Sequence, residues 1–133
     1  MAVRESQRLF PFLYVDDVGA YLDFLVRAFG FQRRMHHVDH NDPDHQHGEV
    51  TLGDEVLMVS RAHEKWGAVA PHGQRLQAGV YARVDDADAH CRHARAAGAV
   101  IEAEPADKPW GDRMYTARDP EGHQWFFGSP LKK

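Results

Sequence analysis

The sequence predicts an α+β protein built from two similar modules, each with the element order β-α-β-β-β. The first observation is an internal repeat, in which an apolar strand signal ends in Val-Asp-Asp and a helical segment follows. The matching positions are Val15, Asp16, Asp17, Ala20, Ala28 and Gly30 in the first half and Val84, Asp85, Asp86, Ala89, Ala96 and Gly98 in the second. The second observation is that strand signals follow each copy in the same order. A repeat of roughly half the chain indicates two related structural units.

Each copy of the repeat contains the signals that begin and end a helix. Asp17 and Asp86 are expected to cap the helix N-termini with a side-chain oxygen, and Gly30 and Gly98 to close the C-termini in the left-handed conformation. The first helix is predicted over residues 18–29, where apolar side chains recur at helical spacing. They are Val18, Tyr21, Leu22, Leu25, Val26 and Phe29. The second helix is predicted over the alanine-rich residues 87–97.

The remaining elements are strands joined by turn and loop sequences. Strands are predicted at residues 9–15, 31–37, 48–52 and 55–60 in the first half and at residues 77–84, 100–104, 114–118 and 124–128 in the second. Pro11 has no N–H to donate, so the first strand is predicted to lie at a sheet edge or to begin unpaired. Gly53-Asp54 is typical of a hairpin turn, and Asp119-Pro-Glu-Gly122 is typical of a β-turn.

Length and composition are those of a single globular domain. The chain has 133 residues, of which 43% are hydrophobic and 27% charged. We expect one domain that comprises module one at residues 8–60, a linker at 61–76 and module two at 77–130.

Charge, hydropathy and cysteine content argue against several kinds of partner and location. The net charge of -4 argues against nucleic acid as a partner. No apolar run approaches the roughly 20 residues of a membrane span, and no secretory signal opens the sequence. Cys91 is the only cysteine, so we expect no disulfide framework and a cytoplasmic location.

Short motifs at matching places in both halves add to this pattern. They are Val15-Asp16-Asp17, residues 28–31, His47-Gly48-Glu49, Gly53-Asp54 and Leu57-Met58 in the first half, and Val84-Asp85-Asp86, Ala97-Gly98-Ala99, Trp110-Gly111-Asp112 and residues 119–123 in the second. In this order the motifs resemble the vicinal oxygen chelate superfamily over residues 8–129. The superfamily includes glyoxalase I, extradiol dioxygenases, fosfomycin-resistance enzymes and bleomycin-resistance proteins. The resemblance implies two curved, half-open mixed sheets, each with one helix on its outer face, but it implies no particular reaction.

The same resemblance implies where a metal would be bound. Metal-dependent members place ligands at four positions, on the first and fourth strands of each module, that face a shared concavity. Here the corresponding residues are Phe10, Met58, Gly79 and Phe126. A catalytic Zn or Fe site needs about three nitrogen or oxygen donors, which these side chains lack. Residues 9–15, 56–60 and 78–84 contain no His, Asp or Glu either, so we expect no metal and no cofactor.

An apolar, aromatic concavity is suited to an organic ligand instead. Strand alternation places Phe10, Phe12 and Tyr14 on one face, and His47 with Glu49 on one face of a later strand. The predicted ligand-binding residues are Phe10, Phe12, Tyr14, His47, Glu49, Met58, Tyr81, Trp110, Arg113 and Phe126. Trp110 would stack on a ligand and Arg113 would meet a carboxylate or phosphate. The alternatives are an exposed sheet edge for His47 and Glu49, and ordinary loop packing for Trp110 and Arg113.

Other clusters have two interpretations. Residues 36–47 are rich in possible metal ligands, namely His36, His37, Asp39, His40, Asp42, Asp44, His45 and His47, and form either a metal site or a solvated loop. Arg83 is either at an open strand end or an anion-binding residue. Trp66 either stacks on a ligand or packs in the linker. Cys91 is predicted to be a small buried residue, and Trp125 and Phe127 to be core.

Two functions from different classes remain open. The first is a metal-free, bleomycin-resistance-like protein that binds an aromatic or cationic small molecule, since acidic net charge and aromatic walls suit a cation. The second is an enzyme of the same superfamily, a lyase, isomerase or dioxygenase, that uses an unrecognised metal or the acid/base groups His47 and Glu49. We also expect a homodimer, because half-open sheets expose apolar surface.

Overall fold

The computed structural model describes residues 6–76 and 78–131, and the chain divides into two compact units. The first unit contains β1 (Phe12–Val15), α1 (Val18–Phe29), β2 (Gln32–Val38), β3 (Gln46–Leu52), β4 (Glu55–Arg61) and a short 3-10 helix (Glu64–Trp66). The second contains β5 (Val80–Arg83), α2 (Ala87–Ala96), β6 (Val100–Asp107), β7 (Asp112–Arg118) and β8 (Gln124–Pro130). The predicted α+β class with two β-α-β-β-β units is confirmed.

Both sheets have the same mixed topology. The strand order is β1-β4-β3-β2 in the first sheet and β5-β8-β7-β6 in the second. The first strand of each unit runs parallel to the last, and the other pairs are antiparallel. The strand β1 lies at an edge, as Pro11 predicts, and the carbonyl oxygen of Pro11 accepts a hydrogen bond from the Met58 N–H at 2.9 Å.

Helix α1 begins and ends where the sequence predicts. The Asp17 carboxylate accepts a hydrogen bond from the Ala20 N–H at 3.1 Å, and Gly30 ends the helix with a φ of 80°. Its buried residues are Val18, Tyr21, Leu22, Phe24, Leu25, Ala28 and Phe29. Val26, which was predicted to be in this stripe, is exposed, and Phe24 is buried instead with its ring 5.1 Å from that of Phe29.

Packing at two positions shows which face of each sheet is covered. A Cβ built on Gly48 would lie 2.7 Å from the Leu22 side chain, so Gly48 faces α1 and, by alternation, His47 and Glu49 face away. In the second unit, Ser129 Oγ accepts a hydrogen bond from the Ala87 N–H at the start of α2. Residues that alternate with Ser129, such as Gly128, face away from α2. We call the side of each sheet opposite its helix the open face.

Several element bounds differ from those predicted. The strands β1 and β5 begin at Phe12 and Val80, so Phe10 and Gly79 precede them, and the predicted start at Gln77 lies outside the described residues. The strand β6 was predicted to end at Glu104 but continues through Pro105 to Asp107. It can do so because β6 is an edge strand with irregular register between Ala103 and Ala106.

The core of the second unit is aromatic. Trp125 and Phe127 are fully buried, with ring centroids 5.6 Å apart and planes at 3°, as expected from the sequence. Cys91 is a buried free thiol on α2, as predicted, and burial raises its pKa. In the described parts of the chain, neither helix is long and apolar enough to span a bilayer.

Candidate functional site

The open face of the first unit carries a group of aromatic and sulfur-containing side chains. Phe12 is paired in register with Met58, and Met58 with Glu49, so the three form one row across the sheet. The Phe12 ring meets Tyr14 edge-on at 5.2 Å and lies 6.3 Å from His47. Phe12 is 45% exposed although its ring is apolar. The structure therefore brings together five of the predicted ligand-binding residues.

His47 and Glu49 form a hydrogen-bonded pair beside these rings. His47 Nε2 lies 2.8 Å from Glu49 Oε2, and Arg34 Nη1 pairs with the other carboxylate oxygen. The Glu49 side chain is only 10% exposed, so its charge is neutralised by the neighbouring arginine rather than by water. When a carboxylate orients an imidazole in this way, the imidazole is placed to donate or accept a proton as a general acid or base.

The open face of the second unit carries two near-parallel aromatic rings. Tyr81 and Phe126 are register partners, with centroids 6.3 Å apart and planes at 19°. A Cβ built on Gly128 would overlap the Tyr81 hydroxyl, and a Cβ on Gly79 would lie 3.0 Å from the Phe126 ring. Because the far end of each ring lies over a glycine, both rings lie along the sheet instead of standing out from it. We call Tyr81 and Phe126 the aromatic shelf.

Polar groups fix the hydroxyl end of the shelf. The Tyr81 hydroxyl donates a 2.5 Å hydrogen bond to Asp112 Oδ2, and Arg83 Nη2 donates to both Asp112 oxygens at 3.1 Å. Burial, with this carboxylate as a second cause, raises the pKa of Tyr81, while a hydrogen bond with the Trp110 side chain opposes the rise. Trp110 is 62% exposed, so its ring extends the aromatic surface beside Tyr81.

Arg113 lies elsewhere than predicted. Its Nε donates to both carboxylate oxygens of Asp88 at 3.0 Å, and its Nη1 donates to Asp107 at 2.9 Å. The hydrogen bonds with Asp107 and then Asp88 raise the pKa of Arg113. Asp88 is in the first turn of α2, so Arg113 faces the helix. It therefore does not stand beside Trp110 at the rim of the open face, because strand alternation turns it to the other side of the sheet.

The four positions that correspond to the ligands of metal-dependent members do not fit a metal ion. Met58 lies in the row between Phe12 and Glu49, and Phe126 is one ring of the shelf. Phe10 and Gly79 precede the edge strands, and neither side chain carries a donor atom. A thioether and two hydrocarbon rings cannot supply the nitrogen and oxygen donors of a Zn, Fe or Mn centre.

The histidine-rich segment is mostly ion-paired. His36 and His37 lie on β2, within the strand predicted at residues 31–37, and His47 lies on β3 because that strand begins at Gln46. Asp44 pairs with Arg61 and lies 3.4 Å from Lys65 Nζ, which also contacts Asp42 at 3.1 Å.

These contacts shift the pKa values of the paired groups. The hydrogen bond from Arg61, ahead of the contacts with Lys65 and His63, lowers the pKa of Asp44. The hydrogen bond to Asp42 raises the pKa of Lys65. The Trp66 ring packs between His45 and His63, with centroids 5.7 and 5.6 Å away. We interpret the segment as a loop clamped by charge, which favours the structural interpretation over a metal site.

Three contributors to the open faces were not singled out from the sequence as site residues. They are Arg34, Asp112 and Gly128. Gly128 is the register partner of Arg83, which the sequence did suggest as an anion-binding residue, and Asp112 accepts hydrogen bonds from Arg83. The motif Trp110-Gly111-Asp112 pointed to this segment, but not to a contact of Asp112 with β5, because β8 lies between the two strands. No comparable signal existed for Arg34.

The fold and its two open faces define the class of protein. A sequence model of the Glyoxalase/Bleomycin resistance protein/Dioxygenase superfamily matches residues 8–127, so the chain belongs to this superfamily. Among solved structures, TioX from Micromonospora sp. ML1 is 32% identical, with a TM-score of 0.73, over 95% of this chain and 100% of that one.

Two further relatives are more distant. An uncharacterised protein of Mycobacterium bovis is 29% identical over 137 residues, which cover 100% of this chain and 90% of that protein. The fosfomycin resistance protein FosX from Listeria monocytogenes, complexed with Mn(II) and sulfate ion, has a TM-score of 0.70 at 14% identity. That alignment covers 96% of this chain and 95% of FosX, and it shows a shared fold.

Proposed function

We propose that this protein is a metal-free small-molecule-binding member of the superfamily, of the bleomycin-resistance type. It would hold an aromatic or cationic organic ligand against the open face of a sheet. The observation that carries the proposal is the exposure of aromatic rings there, since Phe12 and Tyr81 are each 45% exposed. On each open face the exposed ring lies beside another aromatic side chain, Tyr14 or Phe126, and exposed apolar patches usually mark a binding surface.

The chemistry of the metal-ligand positions supports the metal-free part of the proposal. FosX is named with Mn(II), but its 14% identity extends to the fold alone. Here Met58 and Phe126 occupy the two fourth-strand positions. Their side chains favour contact with an organic ring over coordination of a hard cation.

A cationic ligand would be attracted mainly by the rings. The two carboxylates described on the open faces, Glu49 and Asp112, are already paired with Arg34 and Arg83. A cation would therefore bind over the π-face of Tyr81 or Phe12, helped at long range by the net charge of -4.

Titration of the protein with aromatic probes tests the proposal. Trp110 is exposed and its side chain bonds to Tyr81, so its fluorescence should respond to a ring placed on the shelf. Proflavine serves as a planar cation and 2-naphthamide as an uncharged aromatic. We expect metal-free protein to bind at least one probe saturably. A double variant, Trp110→Leu with Phe126→Ala, should not bind the probes, and its titration is measured by calorimetry because Trp110 is absent. Absence of saturable binding by both probes would contradict the proposal.

A second candidate function is acid/base catalysis by the His47–Glu49 pair. The 2.8 Å contact between them, beside the exposed Phe12 ring, is the observation that favours a lyase or isomerase. Replacement of Glu49 by Gln keeps the shape but removes the charge that orients the imidazole. If the protein is such an enzyme, Glu49→Gln should lower kcat with a smaller effect on KM, whereas a binding protein should show no turnover to lower.

A further inference from the structure

We propose that the open face of the second unit binds a planar aromatic carboxylate, with its ring on the aromatic shelf and its carboxylate paired with Arg83. This inference rests on the proposed function and narrows its ligand class. It departs from the simplest expectation for an acidic chain, which is a cationic ligand.

Arg83 is held in place for such a role and still has donors to offer. Its side chain is 61% exposed, yet Nη2 is fixed by both oxygens of the buried Asp112. In the described part of the chain, the contacts of Arg83 with Asp112 use Nη2 alone, which leaves Nη1 and Nε to donate to a ligand. An arginine already fixed by a carboxylate loses less side-chain entropy on binding than a free one.

The distance from the shelf to Arg83 suits an aromatic acid. Tyr81 and Arg83 are two residues apart on β5 and share its open face, so their Cα atoms are about 7 Å apart. The Tyr81 hydroxyl and the Arg83 guanidinium also converge on the same carboxylate, that of Asp112. The Arg83 guanidinium therefore lies beside the hydroxyl end of the shelf. Its separation from the shelf is comparable to the length of a bicyclic aromatic acid.

The glycines beneath the rings keep this surface flat. Gly128 lies under the end of Tyr81 and Gly79 lies against Phe126, and any larger residue would lift the rings from the sheet. Because the two planes differ by only 19°, they present neighbouring faces to one ligand ring system. The proposed site is thus a shelf with unused guanidinium N–H donors at one end.

Three probes of the same ring size separate the effect of the ligand's charge from the effect of ring contact with the shelf. They are 2-naphthoate, uncharged 2-naphthamide and 2-naphthylmethylammonium, each titrated calorimetrically into the full chain. We expect naphthoate to bind about five to ten times more tightly than naphthamide, equivalent to about 1–1.4 kcal/mol, because its carboxylate accepts a charge-assisted hydrogen bond at a half-exposed site. Arg83→Gln should bring the ratio of the naphthoate and naphthamide affinities close to one, and this ratio cancels any effect on the shelf that the two probes share. Arg92→Gln, which removes an exposed arginine of α2, is the matched control and should retain the preference for naphthoate.

Salt dependence gives a second measurement that needs no variant. In the wild-type chain, the preference for naphthoate over naphthamide should shrink as NaCl rises from 0.05 to 0.5 M, on the scale set by screening of an exposed pair. Equal binding of naphthoate and naphthamide, or unchanged preference in Arg83→Gln, would overturn the inference and leave the proposed function standing. Tightest binding of the ammonium probe would overturn it in favour of a cationic ligand. Absence of binding by all three would overturn the proposed function and the inference with it.

Discussion

Gly128 is the residue on which the position of Tyr81 depends. A Cβ there would overlap the Tyr81 hydroxyl and lie 3.1 Å from Asp112 Oδ2. Gly128→Ala should therefore swing the tyrosine away and break its hydrogen bond to Asp112. We expect the raised pKa of Tyr81 to fall toward the ordinary value, because both burial and the carboxylate contact are lost.

Ultraviolet titration of the phenol measures this change, and Tyr81→Phe identifies which absorbance step belongs to Tyr81. Gly128→Ala should also lower the free energy of unfolding by about 1 kcal/mol, the usual net value of one hydrogen bond. An unchanged titration in Gly128→Ala would show that the ring does not lie over the glycine.

Phe126 should contribute directly to ligand binding. Its ring lies 6.3 Å from that of Tyr81 and is part of the proposed contact surface. Phe126→Ala should weaken binding of an aromatic probe by about 1–3 kcal/mol, as expected for a lost buried ring contact. His40→Ala and His45→Ala change the histidine-rich segment of the other unit and should leave the affinity unchanged. Equal affinity in Phe126→Ala and the wild type would remove the shelf from the site.

At the scale of single residues, strand alternation predicted some side-chain positions and not others. His47 and Glu49 face away from α1 as alternation required, because a slip of one residue would have exposed Val50, which is fully buried. Arg113 was misplaced because β7 was predicted to begin at Met114. The strand begins at Asp112, so Arg113 obeys strand alternation and faces α2.

Among the elements, the loop between β2 and β3 is held by charge and should respond to pH. The pKa of Asp44 is lowered mainly by Arg61, so its stabilising effect is complete above its unfolded pKa of about 4 and is lost as pH falls through the lower folded value. Lys65 has a raised pKa, so its effect persists until pH rises through that folded value. The clamp is therefore intact at neutral pH.

Replacement of Asp44 by Asn tests this clamp. The difference in unfolding free energy between wild type and Asp44→Asn should be constant at neutral pH and should shrink below about pH 4. Urea unfolding at a series of pH values measures it. Asp85→Asn, which alters an exposed acidic residue of the second unit, is the control. A difference that did not vary with pH would show that Arg61 does not stabilise the ionised form of Asp44.

The bounds of an element were predicted correctly where several local signals agree, and incorrectly where pairing with another strand sets the bounds. The helix α1 has its cap at Asp17, its apolar stripe and its terminal Gly30 in the sequence, and its bounds were predicted correctly. The strand β2 is shifted by one residue and β3 begins two residues earlier than predicted, because antiparallel pairing extends ordered backbone into polar residues, including the contact of His36 with Gln46 at 3.1 Å. Such pairing depends on a partner strand and leaves no periodic apolar signal.

For the whole molecule, we predict a homodimer. Phe12 and Tyr81 expose aromatic rings on the open faces, and Leu9, Val69 and Val100 add exposed apolar surface. Surface of this kind usually lies in an interface. Sedimentation velocity at 1–100 μM should give the mass of two chains, about 30 kDa from 15.1 kDa each. A single species of one-chain mass throughout this range would contradict the prediction.

The repeat predicted the architecture of the whole molecule because each copy carries a complete set of strand and helix signals. The identity of the ligand could not be predicted in the same way, because it depends on which side chains meet across strands. The convergence of Tyr81 and Arg83 on Asp112 joins residues about 30 positions apart, and no local pattern indicates it.

The central claim is that the protein binds an aromatic ligand without a metal, and binding before and after chelation tests it most directly. The full chain is purified without nickel resin, its metal content is measured by mass spectrometry, and 2-naphthamide is titrated before and after dialysis against EDTA. We predict far less than one metal ion per chain and the same Kd in both titrations. Stoichiometric Zn, Fe, Mn or Ni, with binding lost on chelation and restored by the metal, would contradict the claim.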